Sequence, residues 1–268
     1  MNGTIRRPVL VLDATGPVAA GIVAALLAIG HEVLAVTADR GGMAALRRRH
    51  VDAGARLCCL SGHDGDEAAA GRLAARIRRQ ARGGVQALVS CLSQPVNSAR
   101  LSEFAADGLM RELELGLVPP LLQARHLWPL LPEHDGQHVL VGGVASDSAW
   151  CGYGHVAVAS AARRMLVRVL HEEAKSRGIR VCMLAFEHPP VGAGTPVPPA
   201  VGRDVAALLA ERGSLPGPAS SIVIHRAGGL ARTAPSVADS VSALLAGIAT
   251  GSSDAPSLSP SRTRTLLR

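Results

Sequence analysis

The sequence predicts an α/β protein: a doubly wound parallel sheet of about seven strands in a single domain, residues 1–229. Short apolar runs of strand length alternate with amphipathic stretches of helical length almost from end to end, the pattern of a parallel sheet covered on both faces. Two strand–helix–strand beginnings stand at the start of the chain. A length of 268 residues with 48% hydrophobic content suits one such domain with a substantial core.

In order, Val9 to Leu12 reads as a strand and Val18 to Ile29 as a helix; Glu32 to Thr37 and Met43 to Val51 repeat the pair. Arg56 to Leu60 is the third strand, Asp66 to Arg82 a helix with apolar positions at helical spacing, and Ala87 to Ser90 the fourth strand. Ser102 to Leu131 is mostly helical, with an interruption expected at Pro119 and Pro120. Val139 to Val141 is the fifth strand, and Val156 to Ser176 a long helix with Leu166, Val169 and Leu170 on one side. Val181 to Ala185 is the sixth strand, Glu187 to Val201 a Pro- and Gly-rich loop, Gly202 to Arg212 a short helix and Ser221 to His225 the last strand. Beyond Gly229 a helical extension is expected over 230–250, centred on Val237 to Ile248, and a disordered Ser/Pro/Arg tail over 251–268.

Composition removes several function classes. The longest apolar stretches, Gly21 to Ile29 and Val139 to Ala145, are too short to span a bilayer, and no signal-like N-terminus is present, so a soluble cytoplasmic protein is expected. Five cysteines without CxxC spacing read as buried free thiols rather than a metal site. His126, His138 and His171 have no convergent Asp or Cys spacing, which also speaks against a metal. The net charge of +7 is carried by arginines scattered along helices, Lys175 being the only lysine, and aromatic content is 2%. Such a chain offers few stacking platforms, so nucleic acid is not an expected partner.

Three local runs carry a family resemblance. Val9-Leu-Val-Leu-Asp-Ala-Thr-Gly-Pro-Val-Ala-Ala-Gly-Ile-Val is similar to a strand, glycine-rich turn and helix; Ala159-Ser-Ala-Ala-Arg-Arg-Met-Leu-Val-Arg-Val-Leu-His-Glu-Glu-Ala, then Arg-Gly-Ile-Arg-Val, to an active-site helix and following strand; Ser221-Ile-Val-Ile-His-Arg-Ala-Gly-Gly to a closing strand and glycine pair. In this order they resemble the short-chain dehydrogenase/reductase family over about residues 8–229, which implies a Rossmann-like fold.

The resemblance also locates the family's functional positions, and here they carry other residues. The family's phosphate turn, Thr-Gly-x-x-x-Gly-x-Gly, falls on Leu12, Asp13, Pro17 and Ala19. Asp13 sets a negative charge where a pyrophosphate would lie, and Pro17 removes a backbone N–H from the helix start that normally holds the anion. Gly16 and Gly21 would serve only in a shifted register. Thr37 stands at the ribose-binding acid position, while Arg40 is a weak candidate for a 2′-phosphate, so NADP is the expected choice if any dinucleotide binds. Ser90-Cys91-Leu92-Ser93 replaces Asn-Asn-Ala-Gly, and Phe186-Glu187 replaces Pro-Gly. The Asn–Ser–Tyr–Lys proton relay falls on Gly116, Gly143, Val156 and Ser160, none of which can do that work.

Replacement candidates are few. Tyr153 with His155 could form a proton donor beside a basic neighbour, or a solvent-facing glycine-flanked loop. Ser146, Asp147 and Ser148 follow the fifth strand, and Glu187 and His188 the sixth, at the sheet edge where ligands bind in such folds. No Gly-x-Ser-x-Gly elbow surrounds Ser146. Asp13 reads either as a base or as a cap of the first helix. Three functions follow. The first is a non-catalytic subunit, without cofactor, that pairs with an active ketoreductase or hydroxyacyl dehydrogenase of the family through helices 102–131 and 156–176 and the last strand. The second is an enzyme repurposed for cyclisation, dehydration or isomerisation. The third, least favoured, is an oxidoreductase with an unusual residue set.

Overall fold

The computed structural model describes residues 7–92, 98–144, 152–186, 199–211, 221–226 and 229–232. All of them belong to one compact unit; residues 215–220 and 234–268 form a second, which lies outside the described residues together with the expected C-terminal helix and tail.

The strands are β1 (Val9–Leu12), β2 (Val33–Thr37), β3 (Leu57–Ser61), β4 (Ala87–Cys91), β5 (Gly136–Val144), β6 (Ile179–Phe186), β7 (Ile222–Arg226) and β8 (Gly229–Arg232). Their order is β3-β2-β1-β4-β5-β6-β7-β8. The first seven run parallel, as expected, and β8 adds an antiparallel strand that the sequence reading missed. It is four residues long and begins at the second glycine of the closing pair, too short for a hydrophobic pattern to announce it.

The helices are α1 (Pro17–Ala28), α2 (Arg40–Arg49), α3 (Glu67–Gln80), α4 (Ala106–Leu127), α5 (Gly154–Ala174) and α6 (Pro199–Ala210). Alternation along β1 builds two cores. Val9 and Val11 face Ile22, Val23 and Leu26 of α1 and Val205 of α6, while Leu10 and Leu12 join Leu73, Ile77, Leu127 and Val167 on the α3, α4 and α5 side. The approach of α6 to α1 is close: a Cβ on Gly202 would stand 2.7 Å from the Gly21 carbonyl oxygen. Gly21 thus lies inside α1 against another helix.

Two expectations about the long helices are corrected. α4 passes through Pro119 and Pro120 without a break. Each proline forfeits a backbone donor, at roughly 3 kcal/mol in a helix interior, but Pro120 is buried with Gly116, Leu122, Gln123 and Leu127, so packing offsets the loss. On α5, Leu170 is 3% exposed and Leu166 packs on the core, leaving only Val169 of the three outside. The apolar positions that do face outward are Val158, Met165 and Val169 on α5 and Met110, Leu115 and Leu121 on α4. Helix α6 also starts earlier than expected, at Pro199, a residue suited to a first helical turn. No helix among the described residues is long and apolar enough to cross a membrane.

Candidate functional site

The carboxyl ends of the parallel strands form the edge at which ligands bind in this architecture. At its left half, β1 ends in Asp13, whose φ of +51° is the left-handed conformation that glycine adopts freely. The chain turns through Thr15 and Gly16 into Pro17, the first residue of α1. Gly16 is the N-cap and no side chain caps the helix, so Asp13 is not its cap.

This turn is stitched to the next one. The Thr15 and Thr37 hydroxyls are 2.9 Å apart, and Thr37 Oγ1 accepts the Asp39 N–H at 3.1 Å. A Cβ on Gly42, in the first turn of α2, would lie 2.7 Å from Thr15 Cβ. The space between the first two strand–helix turns is therefore filled by the protein's own side chains. Arg40 opens α2 on the exposed surface.

The charge here is acidic. Asp13 is exposed at the strand edge, yet desolvation by the surrounding protein raises its carboxyl to about 6, helped by the neighbouring Asp64 carboxylate and opposed by His63. Asp64, buried after β3, is also raised by desolvation, while a hydrogen bond from Gln123 works against the rise. Gln123 Nε2 donates to Asp64 Oδ2 at 2.6 Å and belongs to a network that the sequence reading did not find. Trp128 Nε1 donates to His138 Nδ1 at 3.1 Å, which leaves the imidazole proton on Nε2, 3.1 Å from both Ser90 Oγ and Gln123 Oε1. Ser90 Oγ donates to Gln123 Oε1 at 2.6 Å. The chain of donors runs in one direction, from Trp128 towards Asp64. Burial holds His138 neutral, its pKa lowered to about 3. Ser90, near the end of β4 at a position where the family resemblance already marks altered residues, is the one sign of it in the sequence.

The right half contains the relay positions. Gly143 sits in β5 where the register with β6 shifts between Val141 and Val144, and Gly142 and Gly143 take φ of +130° and +77°. Gly116 faces it from α4. Between the two glycines lies the side chain of Arg163, from α5, 4% exposed. A Cβ on Gly116 would stand 2.6 Å from its Nη2, and one on Gly143 would stand 3.2 Å from Nη1 and 2.8 Å from Met183 Cε. Ser160 is buried one helical turn before it. Desolvation lowers the Arg163 pKa to about 10, with Glu112 as the acid that opposes the fall. Its Nε is buried without a hydrogen-bond partner among the described residues.

Val156 stays partly exposed near the start of α5. Tyr153 is the N-cap of α5 and forms a backbone bridge to Ala99. His155 does not reach solvent: it is 1% exposed, stacked on Phe104 with ring centroids 4.3 Å apart, and no hydrogen bond joins it to Tyr153 among the described residues. Ser146, Asp147, Ser148, Glu187 and His188 lie outside the described residues. His126 pairs with Glu67 at 2.8 Å, and His171 Nδ1 lies 2.8 Å from the Val181 carbonyl oxygen. No group of three metal-ligating side chains occurs among the described residues.

The enoyl-(acyl carrier protein) reductase model of the short-chain dehydrogenase family matches residues 14–187, well over half of the chain. The protein belongs to the short-chain dehydrogenase/reductase family. Solved structures agree on the fold. A metagenomic short-chain oxidoreductase in complex with NADP aligns with a TM-score of 0.66 at 19% identity, over 82% of this chain and 96% of its own. The citronellol catabolism dehydrogenase of Pseudomonas aeruginosa PAO1 gives 0.65 at 20%, over 76% and 87%. A short-chain oxidoreductase of the same organism, described as containing an atypical catalytic center, gives 0.60 at 21%, over 67% and 69%. No curated protein matches the sequence.

A nicotinamide dinucleotide is the family's cofactor, and the residues present do not fit one. The phosphate turn holds a carboxylate in place of a glycine, and the Thr15–Thr37 contact closes the gap between the two turns that would receive the adenosine end.

Proposed function

We propose that this chain is a non-catalytic short-chain dehydrogenase/reductase subunit that pairs with an active relative through the outer faces of α4 and α5. The observation carrying this reading is the Arg163 guanidinium between Gly116 and Gly143. A permanent cation wedged between two glycines supports it, since neither glycine nor an arginine that stays protonated at working pH can pass a proton to a carbonyl oxygen from these two relay positions. The pairing rests on Val158, Met165 and Val169 with Met110, Leu115 and Leu121, apolar side chains exposed on two neighbouring long helices. Exposed apolar stripes of this kind mark interaction surfaces. The partner is proposed as a ketoreductase or hydroxyacyl dehydrogenase acting on acyl thioesters, in keeping with the acyl-carrier family model.

Light scattering on the chain alone and co-expressed with an intact relative tests the reading. A hetero-oligomer mass is expected; a clean monomer in both samples would refute it. The repurposed enzyme is the second reading, favoured by Asp13, a carboxyl with a pKa of about 6 at the ligand-binding edge. It predicts turnover of a non-redox substrate that Asp13→Asn abolishes. NADPH-dependent reduction of a ketone by the purified chain would revive the oxidoreductase reading and remove both others.

A further inference from the structure

The Arg163 guanidinium is buried, and its Nε has no hydrogen-bond partner among the described residues. A guanidinium withdrawn from water costs several kcal/mol unless acceptors replace the lost hydration, and buried donors without acceptors are rare in native proteins. Here the Nε has none among the described residues, and Glu112 acts on the group through its charge. Gly116 and Gly143 create the room for the side chain, and Gly143 does so in a left-handed conformation. The site is therefore shaped around a fixed cation at the end of β5, where ligands of this architecture bind.

We infer that the Arg163 guanidinium binds the carboxylate of a small organic acid. The class follows from charge and surroundings. One guanidinium among glycines and Met183 can neutralise a monoanion and match its two oxygens with paired N–H groups. A phosphate dianion would need more donors than these neighbours offer. The acids Asp13 and Asp64 on the same sheet edge also disfavour a polyanion. The cleft is thus reversed in polarity from its family's pattern, acidic at the dinucleotide end and cationic at the substrate end. The inference is independent of whether the chain pairs with a relative.

Another arginine-lined place exists and must be separated from it. At the opposite edge of the sheet, Arg7, Arg78 and Arg82 line an open groove of about 530 Å³ with Glu133. Its arginines are exposed and already solvated.

The test is thermal unfolding and calorimetry of the full chain with sodium acetate, butyrate, inorganic phosphate or chloride at constant ionic strength. Acetate or butyrate should raise Tm saturably, by about 3 °C at high occupancy. Arg163→Met should remove that rise while keeping the fold, since a neutral side chain of similar length suits the site; Arg163→Gln serves if it does not. Arg78→Ser should leave the rise intact. No saturable carboxylate effect, an equal effect of chloride, a larger one of phosphate, or survival of the rise in the Arg163 variants would each overturn the inference.

Discussion

Arg163 of α5 and Gly116 of α4 are in contact so close that a single added carbon on the glycine would stand 2.6 Å from the guanidinium Nη2. Gly116→Ala should therefore destabilise the protein by about 1–3 kcal/mol, because Arg163 is confined on its other side by Gly143 and cannot simply swing away. The cost should largely vanish in an Arg163→Met background. Chemical denaturation of the four proteins of this cycle measures the coupling, and strictly additive effects would show that the two residues do not share the space.

Asp13 pairs a raised carboxyl pKa with a left-handed backbone. A folded pKa of about 6 against the ordinary 3.8 means that the ionised form is disfavoured by folding. The folded state then binds more protons between those values, so stability from this group is gained as pH falls from 6 and lost as pH rises through 6. Asp13→Asn should raise Tm at pH 7–8 and lose the advantage below pH 4. Asp13→Gly should add a further gain at every pH by relieving φ. Tm against pH for the three proteins checks both statements.

His138 should remain neutral, with the proton on Nε2, throughout pH 5–8. Its depressed pKa means that the unfolded chain takes up a proton near 6.5 that the folded one refuses until about 3, so acidification through that window withdraws stability. Nitrogen chemical shifts of the imidazole report both tautomer and titration; a midpoint near 6.5 would contradict the network. Gln123→Leu should cost about 3 kcal/mol by stranding Asp64, Ser90 and His138 together.

On α5, Leu170→Ala should lower stability by about 2–5 kcal/mol as a core truncation, and Leu170→Glu should unfold the chain. Met165→Glu should leave the unfolding midpoint almost unchanged and abolish association with a family partner. Circular dichroism with light scattering separates the two outcomes.

NADH and NADPH should show no binding heat with the purified chain at micromolar concentrations, because Asp13 and the Thr15–Thr37 contact occupy the cradle. A Kd in the low micromolar range would refute this. If weak binding is seen, NADPH should be preferred and Arg40→Ala should erase the preference.

The fold was legible because its signal is periodic: strand runs such as Val9–Leu12 and Val33–Thr37 are apolar and short, and the helices between them carry spaced apolar residues. The left half of the site was legible in part, since Asp13 and Pro17 interrupt a turn whose glycines have a known steric purpose. Arg163 was not. In sequence it is one of two adjacent arginines in a helix, and only the meeting of α4, α5 and β5 reveals that it points inward between two glycines. Gln123, Asp64 and His138 were hidden for the same reason, being far apart in the chain and joined only by packing. The outward face of α5 was misjudged because helical spacing gives a stripe's existence without saying which stripe meets the sheet.

Strand β8 has its own bearing on stoichiometry. It occupies the backbone donors and acceptors along the outer side of β7, from Val223 to Arg226, that the last parallel strand would otherwise present to a neighbouring molecule. What remains at that border is a run of four residues, a poor template for adding another chain's strand. A complex formed through α4 and α5 as proposed therefore finds the β7 ladder already taken by β8. Under the proposed pairing, growth by strand addition at β7 is closed, and a two-subunit particle is the expected end point.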